Sequence, residues 1–302
     1  MKTLMILAAA AVATPAPKPF PAPPEIVAAA SAGDWMAIAP SDLLVMDLAN
    51  GKRVVIQLMP APFSQGWVGN IRKLAAARWW DGTSINRVQD NYVVQWGDAT
   101  EKKALPSGLV VVPQKEYSIQ DDTIILKTAR SSGMWAKVLL RQRIDIYAPA
   151  ATWRTGWPIA YDGQKFAWPV HCYGMVGVGR DMPPDTGSGA ELYTVIGHAP
   201  RHLDRNIALV GRVIAGIEHL SSLPRGTGDL GFYKTPEERT GIKSVRIGTD
   251  VAGLPRYEYL STESASFATY ADARANRRDP FFIVPAGGAD ICNIPVPVRV
   301  AK

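Results

Sequence analysis

The sequence predicts a mainly β protein built from short antiparallel strands. Short apolar runs recur along the 302-residue chain and are separated by Gly, Pro, Asn and Asp, the residues that form turns. Only two or three stretches repeat their apolar residues at helical spacing. Hydrophobic residues make up 47% of the chain and charged residues 20%. This composition indicates a packed globular body and excludes a disordered chain or a membrane bundle.

Two elements are predicted near the start of this body. A hairpin is formed by strands from Leu43 to Leu48 and from Val54 to Met59, because Asn50-Gly51 between them favours a tight primed turn. A helix then follows, with Ser64 as its N-cap. Its predicted apolar face consists of Trp67, Val68, Ile71, Leu74 and Ala75.

A second helix is predicted late in the chain, where apolar residues again recur at helical spacing. Pro224 and Gly226 end it. Its repeating residues are Val213, Ile214, Ile217 and Leu220. Further β-like runs follow from Ser244 to Gly248 and from Phe281 to Val284.

A second predicted hairpin carries two polar side chains that stand out from a strand-like run. Strands from Ile85 to Val88 and from Tyr92 to Trp96 flank the turn residues Asp90 and Asn91. Since every second residue of a strand points to the same face, Arg87 and Gln95 could reach one surface.

The spacing of this hairpin resembles the signature of cyclophilin-type peptidyl-prolyl cis-trans isomerases. That signature has an Arg, an aromatic residue five positions later, a Gln and a Gly-Asp pair, which correspond here to Arg87, Tyr92, Gln95, Gly97 and Asp98. Further blocks with the family's pattern follow in the same order: Gly174 to Gly179, Thr186 to Tyr193 and His202 to Val213. The resemblance implies a closed antiparallel cyclophilin-like β-barrel of about eight strands capped by two helices, with its site in a groove on the outside.

The resemblance also sets the expected domain boundaries. The cyclophilin-like domain is expected at residues 42–220 with an insertion at about 101–161, and a C-terminal extension at 221–302 is expected to pack on the barrel. Residues 1–13 match a short signal peptide, with Lys2 before a run of ten apolar residues and small residues before Thr14. Residues 14–41 begin with a Pro-rich, extended linker. This pattern predicts a periplasmic or secreted protein.

The two cysteines leave two interpretations open. Cys172 and Cys292 could form a disulfide in an oxidising compartment, or they could be two separate buried thiols. The net charge of +6 comes from basic residues spread along the chain. Because they form no patch with interleaved aromatic residues, the sequence predicts no nucleic-acid partner. The apolar run at the start is too short to span a bilayer, so no stable membrane insertion is expected.

The resemblance assigns roles to particular side chains. Arg87 is the expected catalytic residue, and Gln95 is expected to orient the substrate backbone. The expected proline-binding residues are Tyr92, Val93, Tyr193, His202 and Leu203. Tyr92 and Tyr193 stand where phenylalanine is usual.

Three departures from the family pattern put turnover in doubt. Trp96 stands where Gly is usual, His202 where many members have Trp, and Ile207 where many have His. A bulky Trp96 beside Gln95 could crowd the groove.

The leading hypothesis is therefore an exported isomerase that acts on proline-containing segments of client proteins without a cofactor or metal. The alternative is a catalytically weak proline-peptide-binding or chaperone-like module. In a third hypothesis, the extension and the insertion form a partner surface on a barrel scaffold. Oligomeric state stays open.

Two other chemistries are disfavoured. Pro200 interrupts a helical zinc pair of His198 and His202. A triad of Ser188, His171 and Asp185 lacks the nucleophile-elbow motif.

Overall fold

The computed structural model describes residues 20–120 and 145–301. The predicted signal peptide at 1–13, the start of the Pro-rich linker and part of the insertion lie outside the described residues. The strands, in chain order, are β1 (Trp35–Ile38), β2 (Leu43–Leu48), β3 (Arg53–Leu58), β4 (Ser84–Val88), β5 (Val93–Gly97), β6 (Ile119–Gln120), β7 (Ala150–Arg154), β8 (Trp157–Tyr161), β9 (Phe166–Pro169), β10 (Met175–Val178), β11 (Leu192–Val195), β12 (Leu209–Ala215), β13 (Thr240–Ile247), β14 (Tyr257–Leu260) and β15 (Val298–Val300). The α-helices of the described part are α1 (Pro23–Ala29), α2 (Gln65–Ala76), α3 (Glu218–Ser221) and α4 (Ala265–Ala275).

Eight strands close into an antiparallel barrel. Their order around it is β10-β11-β5-β4-β13-β2-β3-β12. Closure pairs every strand on both sides, so the barrel leaves no free edge. The prediction of a mainly β protein with a closed barrel is confirmed.

The first predicted hairpin forms β2 and β3, with Met46 opposite Val54. Both faces of β2 are apolar because both are covered. Leu44 and Met46 belong to the main core, whereas Leu43 and Val45 pack against the outer sheet together with Tyr257. That outer sheet has the order β1-β14-β15.

The first predicted helix is α2, and its predicted apolar face is buried. Ser64 stands at the N-cap position, but its backbone is left-handed and its side chain makes no capping hydrogen bond. Burial of the apolar face, rather than a cap, therefore holds this helix on the barrel.

The prediction of a second helix was wrong for its first residues. Val213 pairs with Ile56 in the barrel as part of β12, and only the short helix α3 follows. Between them Gly216 has a φ of +83°, and a Cβ there would lie 2.2 Å from the Arg53 carbonyl oxygen. The β-branched residues of this run pack in a sheet, and Gly216 then allows the sharp change of direction.

The structure also moves the predicted boundary of the barrel at residue 220. Strand β13, within the segment assigned to the C-terminal extension, pairs with both β2 and β4 and completes the barrel. Its buried residues alternate irregularly with polar ones such as Lys243 and Arg246, so its burial is not evident from sequence. The C-terminal extension therefore begins only after Ile247.

The described part of the insertion contributes to a second sheet with the order β6-β9-β8-β7. Its indoles Trp153, Trp157 and Trp168 are buried in the main core. No helix among residues 20–120 and 145–301 is long and apolar enough to cross a bilayer.

Cys172 and Cys292 form a disulfide. The bond joins the residues before β10 to the chain before β15, across 120 positions of sequence. It ties the C-terminal part to the barrel.

We predict that the Cys172→Ser/Cys292→Ser variant loses about 2–5 kcal/mol of unfolding free energy, because a long loop is no longer closed in the unfolded chain. Urea denaturation of the wild type with and without reductant measures the same loss. The variant should not respond to reductant. Equal stability of wild type and variant under oxidising conditions would contradict the prediction.

Candidate active site

Three neighbouring barrel strands place a row of side chains on the outside of the barrel. In the strand register, Arg87 on β4 lies opposite Gln95 on β5, and Gln95 lies opposite Tyr193 on β11. Adjacent strands are about 4.8 Å apart, so the three side chains meet on one surface. We call this surface the Arg87 groove.

The same alternation points Trp96 to the other face of β5. Its side chain is 1% exposed and belongs to the barrel core, opposite Ile85 and Leu192 in the register. The expectation that Trp96 crowds the groove was therefore wrong. A residue one position from an outward-facing glutamine points inward.

Arg87 is half-buried and engages several acceptors. Its Nε donates to the Leu230 carbonyl at 2.7 Å, Nη1 donates to Gln95 Oε1 at 3.2 Å, and Nη2 donates to Gln89 Oε1. The guanidinium carbon lies 5.2 Å from the ring centre of Phe232 and 5.9 Å from that of Tyr92. Burial lowers the pKa of Arg87, although a guanidinium stays charged in proteins.

An apolar notch lies beside this guanidinium. Val93, Tyr193 and Val195 are buried there, and Tyr92, Leu203 and Ile207 pack against them. The groove that contains the notch has a volume of about 680 Å³.

The sequence-predicted residues are mostly brought together in this groove. Arg87, Gln95, Tyr92, Val93, Tyr193 and Leu203 all line it. His202 does not line it, and instead stacks on Tyr92 with ring centres 6.3 Å apart and planes within 12°.

Sequence reasoning missed Glu191 in the groove wall. Its Oε1 accepts a hydrogen bond from the Asp98 backbone N–H at 2.7 Å, and burial raises the pKa of its carboxyl. A Cβ on Gly97 would lie 1.8 Å from Glu191 Oε1, which explains the glycine before Asp98. Glu191 precedes Tyr193 by two residues, so strand alternation could have placed it on the same face.

The segment between α3 and β13 forms the remaining wall. It runs along β4, where Gly226 N–H donates to the Val88 carbonyl and Tyr233 N–H to the Asn86 carbonyl, both at 3.0 Å. A Cβ on Gly231 would lie 2.7 Å from Gln89 Cα, so only glycine fits this close approach. The segment brings Leu230 and Phe232 to Arg87, and no pattern in the sequence indicated this contact.

No group of three or more His, Cys, Asp or Glu side chains suitable for a metal occurs in the described part of the chain. His171 contacts Tyr193 and Asp204, and Ser188 and Asp185 line the groove. The triad considered from sequence is not assembled.

Comparison with known families and structures identifies the family of the barrel. The sequence profile described as cyclophilin type peptidyl-prolyl cis-trans isomerase/CLD matches residues 45–247. The chain belongs to the cyclophilin family. It is a cyclophilin-type peptidyl-prolyl isomerase, and the family assignment made from sequence is confirmed.

Two solved structures are similar to this chain. Cyclophilin AquaCyp293 from Hirschia baltica has a TM-score of 0.64 at 21% identity, covering 89% of this chain and 94% of its own. A Cryptosporidium parvum cyclophilin type isomerase, solved in the presence of the dipeptide Ala-Pro, has a TM-score of 0.41 at 11% identity, covering 68% and 98%. No curated protein sequence matches this cyclophilin significantly.

A buried polar chain supports the notch of this cyclophilin from behind. Tyr193 Oη lies 2.9 Å from His171 Nε2, and His171 Nδ1 lies 2.8 Å from Asp204 Oδ1. A carboxylate only accepts, so a neutral His171 donates from Nδ1 and accepts the Tyr193 hydroxyl proton at Nε2. Arg201 continues the chain, with Nε donating to Asp204 Oδ2 at 2.7 Å and Nη2 to Asp145 Oδ2 at 2.8 Å.

These partners determine which side chains of the buried polar chain are charged. Burial acts to raise the pKa of Asp204, but the hydrogen bonds from His171 and Arg201 and the charge of Arg201 outweigh it and lower the pKa. Burial raises the pKa of Tyr193 well above its ordinary value. Tyr193 is therefore a neutral donor whose ring orientation in the notch is fixed by its hydroxyl.

We predict that Tyr193→Phe lowers the unfolding free energy by about 1–3 kcal/mol, because His171 Nε2 is left buried without its donor. Urea denaturation measures this loss. Tyr92→Phe is the matched control, since the Tyr92 hydroxyl bonds to none of the described residues, and it should change stability by less than about 0.5 kcal/mol. Equal stabilities of the two variants would contradict the prediction.

Proposed function

We propose that this cyclophilin accelerates rotation about X-Pro bonds in exported proteins, with Arg87 stabilising the twisted imide in an apolar groove. The observation that carries the proposal is the row of Arg87, Gln95 and Tyr193, in which a half-buried guanidinium lies beside an apolar notch. Family membership supports isomerase activity, and the role of each side chain is our inference.

The chemistry to be catalysed is rotation alone. Resonance gives the C–N bond partial double-bond character, with a barrier of roughly 18–20 kcal/mol to rotation. In the twisted state this resonance is lost, and the prolyl nitrogen becomes a pyramidal acceptor. Groups that bind this state better than either planar isomer lower the barrier, and no covalent step is needed.

Arg87 has the donors for this role. A guanidinium carries five N–H groups, and the described hydrogen bonds of Arg87 involve one on each nitrogen, so two are left for a client. One could hold the prolyl carbonyl oxygen while another faces the developing lone pair. Partial burial strengthens both interactions, because fewer water molecules screen them.

The other groove residues would position the client. The bond from Arg87 to Gln95 Oε1 turns the amide N–H₂ of Gln95 outward as a donor; one N–H bonds to Glu191, and the other could donate to the client backbone. The notch lined by Val93, Tyr193 and Leu203 is apolar, as a pyrrolidine ring requires. His202 would act indirectly, by stacking on Tyr92.

Arg87 gives the first test. We predict that Arg87→Ala lowers kcat/KM for a proline tetrapeptide by about 100- to 1,000-fold, as loss of a preorganised donor does elsewhere. The kcat/KM of Arg87→Lys should lie between those of the wild type and Arg87→Ala, because an ammonium keeps the charge but not the planar arrangement of donors. The control is Arg53→Ala, which removes a surface guanidinium paired with Asp47 and should leave the rate unchanged. Equal rates for Arg87→Ala and wild type would remove Arg87 from the mechanism.

A second candidate function is a proline-peptide-binding module without efficient turnover. The observation in its favour is that the Arg87 guanidinium already donates hydrogen bonds to Leu230, Gln95 and Gln89. NMR exchange spectroscopy on a proline peptide separates the two functions. An isomerase produces exchange cross-peaks between the cis and trans forms, whereas a binding module shifts the resonances without exchange.

Export is supported by the signal-like sequence at 1–13 and by the Cys172–Cys292 disulfide, which is typical of oxidising compartments. We predict that the chain recovered from the periplasm or the medium lacks about its first 13 residues. Cell fractionation and N-terminal sequencing check this. A cytoplasmic chain that retains Met1 would contradict export.

A further inference from the structure

A second cleft lies beside the Arg87 groove, on the other side of the turn Arg201–Leu203. Its volume is about 710 Å³. The residues that matter for its chemistry are Tyr147, Tyr173, His198, Arg201, Asp290 and Asn293. None of these except Arg201 belongs to the polar chain behind the notch, so the cleft is a separate surface.

Arg201 gives the cleft an unused donor. Its side chain is 2% exposed, and its Nη1 is buried with no hydrogen-bond partner among residues 20–120 and 145–301. The Asp290 carboxylate oxygen Oδ2 is 3.8 Å from Nη1, which is too far for a hydrogen bond. A buried N–H without an acceptor is costly, so an acceptor that enters the cleft gains a favourable partner.

The charges around Arg201 select the kind of acceptor. Asp204 and Asp145 both bond to its guanidinium, so its single positive charge is already more than balanced. Asp290 adds a further carboxylate at the mouth. An anion such as phosphate would be repelled, whereas a neutral carbonyl oxygen would not.

The mouth of the cleft offers large amphipathic side chains. Tyr147 is 44% exposed and Tyr173 is 50% exposed, and both line the cleft. Exposed tyrosines provide contact area at a low entropy cost and are enriched where polypeptides bind.

The cleft is also within reach of a client held in the Arg87 groove. Leu203 lines the groove and Arg201 lines the cleft, two positions apart on one turn, while His202 between them stacks on Tyr92. Their Cα atoms are thus at most about 7.6 Å apart. An extended chain advances about 3.3 Å per residue, so a client that continues for a few residues beyond the groove would reach the cleft.

We propose that this cleft is a second client-binding site, which takes the extended polypeptide on one side of the isomerised proline and in which Arg201 Nη1 donates a hydrogen bond to a backbone carbonyl oxygen of that polypeptide. The proposal rests on the proposed function of the Arg87 groove. With a second site, the affinity for a client would depend on the length of the client as well as on its X-Pro dipeptide.

The test compares a proline tetrapeptide with two twelve-residue peptides, in which the proline lies near one end or the other. For the wild type, we expect one of the long peptides to have a KM about tenfold below that of the tetrapeptide, with a similar kcat. The Tyr147→Ser/Tyr173→Ser variant should raise the KM of that long peptide about tenfold and leave the tetrapeptide unchanged. Met36→Ser is the control, because it removes an equally exposed apolar side chain on β1, away from both cavities.

The outcomes separate the two proposals. If the tetrapeptide is isomerised but all three peptides share one KM, the cleft proposal is overturned and the function of the groove stands. If no peptide is isomerised, the proposed function fails, and calorimetric titration of the long peptides tests the cleft alone. Binding that the double tyrosine variant weakens and Met36→Ser does not would then support the cleft. Binding that is equal in all three proteins, or absent, would overturn it.

Discussion

The alternation of side chains along β4, β5 and β11 is the constraint on which both the core and the groove depend. Val94 and Trp96 point into the barrel and are almost completely buried, so Gln95 between them must point out. The antiparallel register then aligns Gln95 with Arg87 on one side and with Tyr193 on the other. A slip of one residue would exchange the two faces, and a guanidinium would enter the core. The packing that stabilises the barrel therefore also fixes the geometry of the groove.

Much of this arrangement follows from local sequence patterns. Asn50-Gly51 and the alternation around Arg87 predicted both hairpins, and the helical spacing from Trp67 predicted α2. The failures occurred where tertiary context decides the structure. Val213 lies in a run whose apolar spacing fits a helix, yet it pairs with Ile56 because the barrel needs a strand there. The contact of Leu230 with Arg87 spans 143 residues, and no local pattern reports it.

The segments outside the barrel explain why apolar residues occur on both faces of its strands. The buried Arg212 on β12 shows how the layers are joined. Its guanidinium donates to Gln57 Oε1 on β3 and to the Gly156 carbonyl in the β7–β8 turn, and lies 4.5 Å from the Trp157 ring centre. Burial lowers the pKa of Arg212 to about 10, but the group is still protonated at neutral pH. Its described contacts are neutral acceptors and aromatic faces, which hold a charge in place while adding directional bonds between layers.

Neutral acceptors around a guanidinium have a different consequence at Arg87. Arg87 also rests on neutral acceptors, but it is only half-buried, and Leu230 in its wall is a loop residue rather than a strand residue. A client carbonyl that replaced the Leu230 carbonyl would exchange one neutral acceptor for another, so binding the planar client would gain little from that bond. The gain would come when the imide twists and its nitrogen becomes an acceptor, because the remaining N–H groups of Arg87 then find a partner that neither planar isomer offers. In the proposed mechanism, Arg87 would thus favour the transition state over the bound ground state, because only the twisted imide offers its nitrogen as an acceptor to the two N–H groups that Arg87 has left.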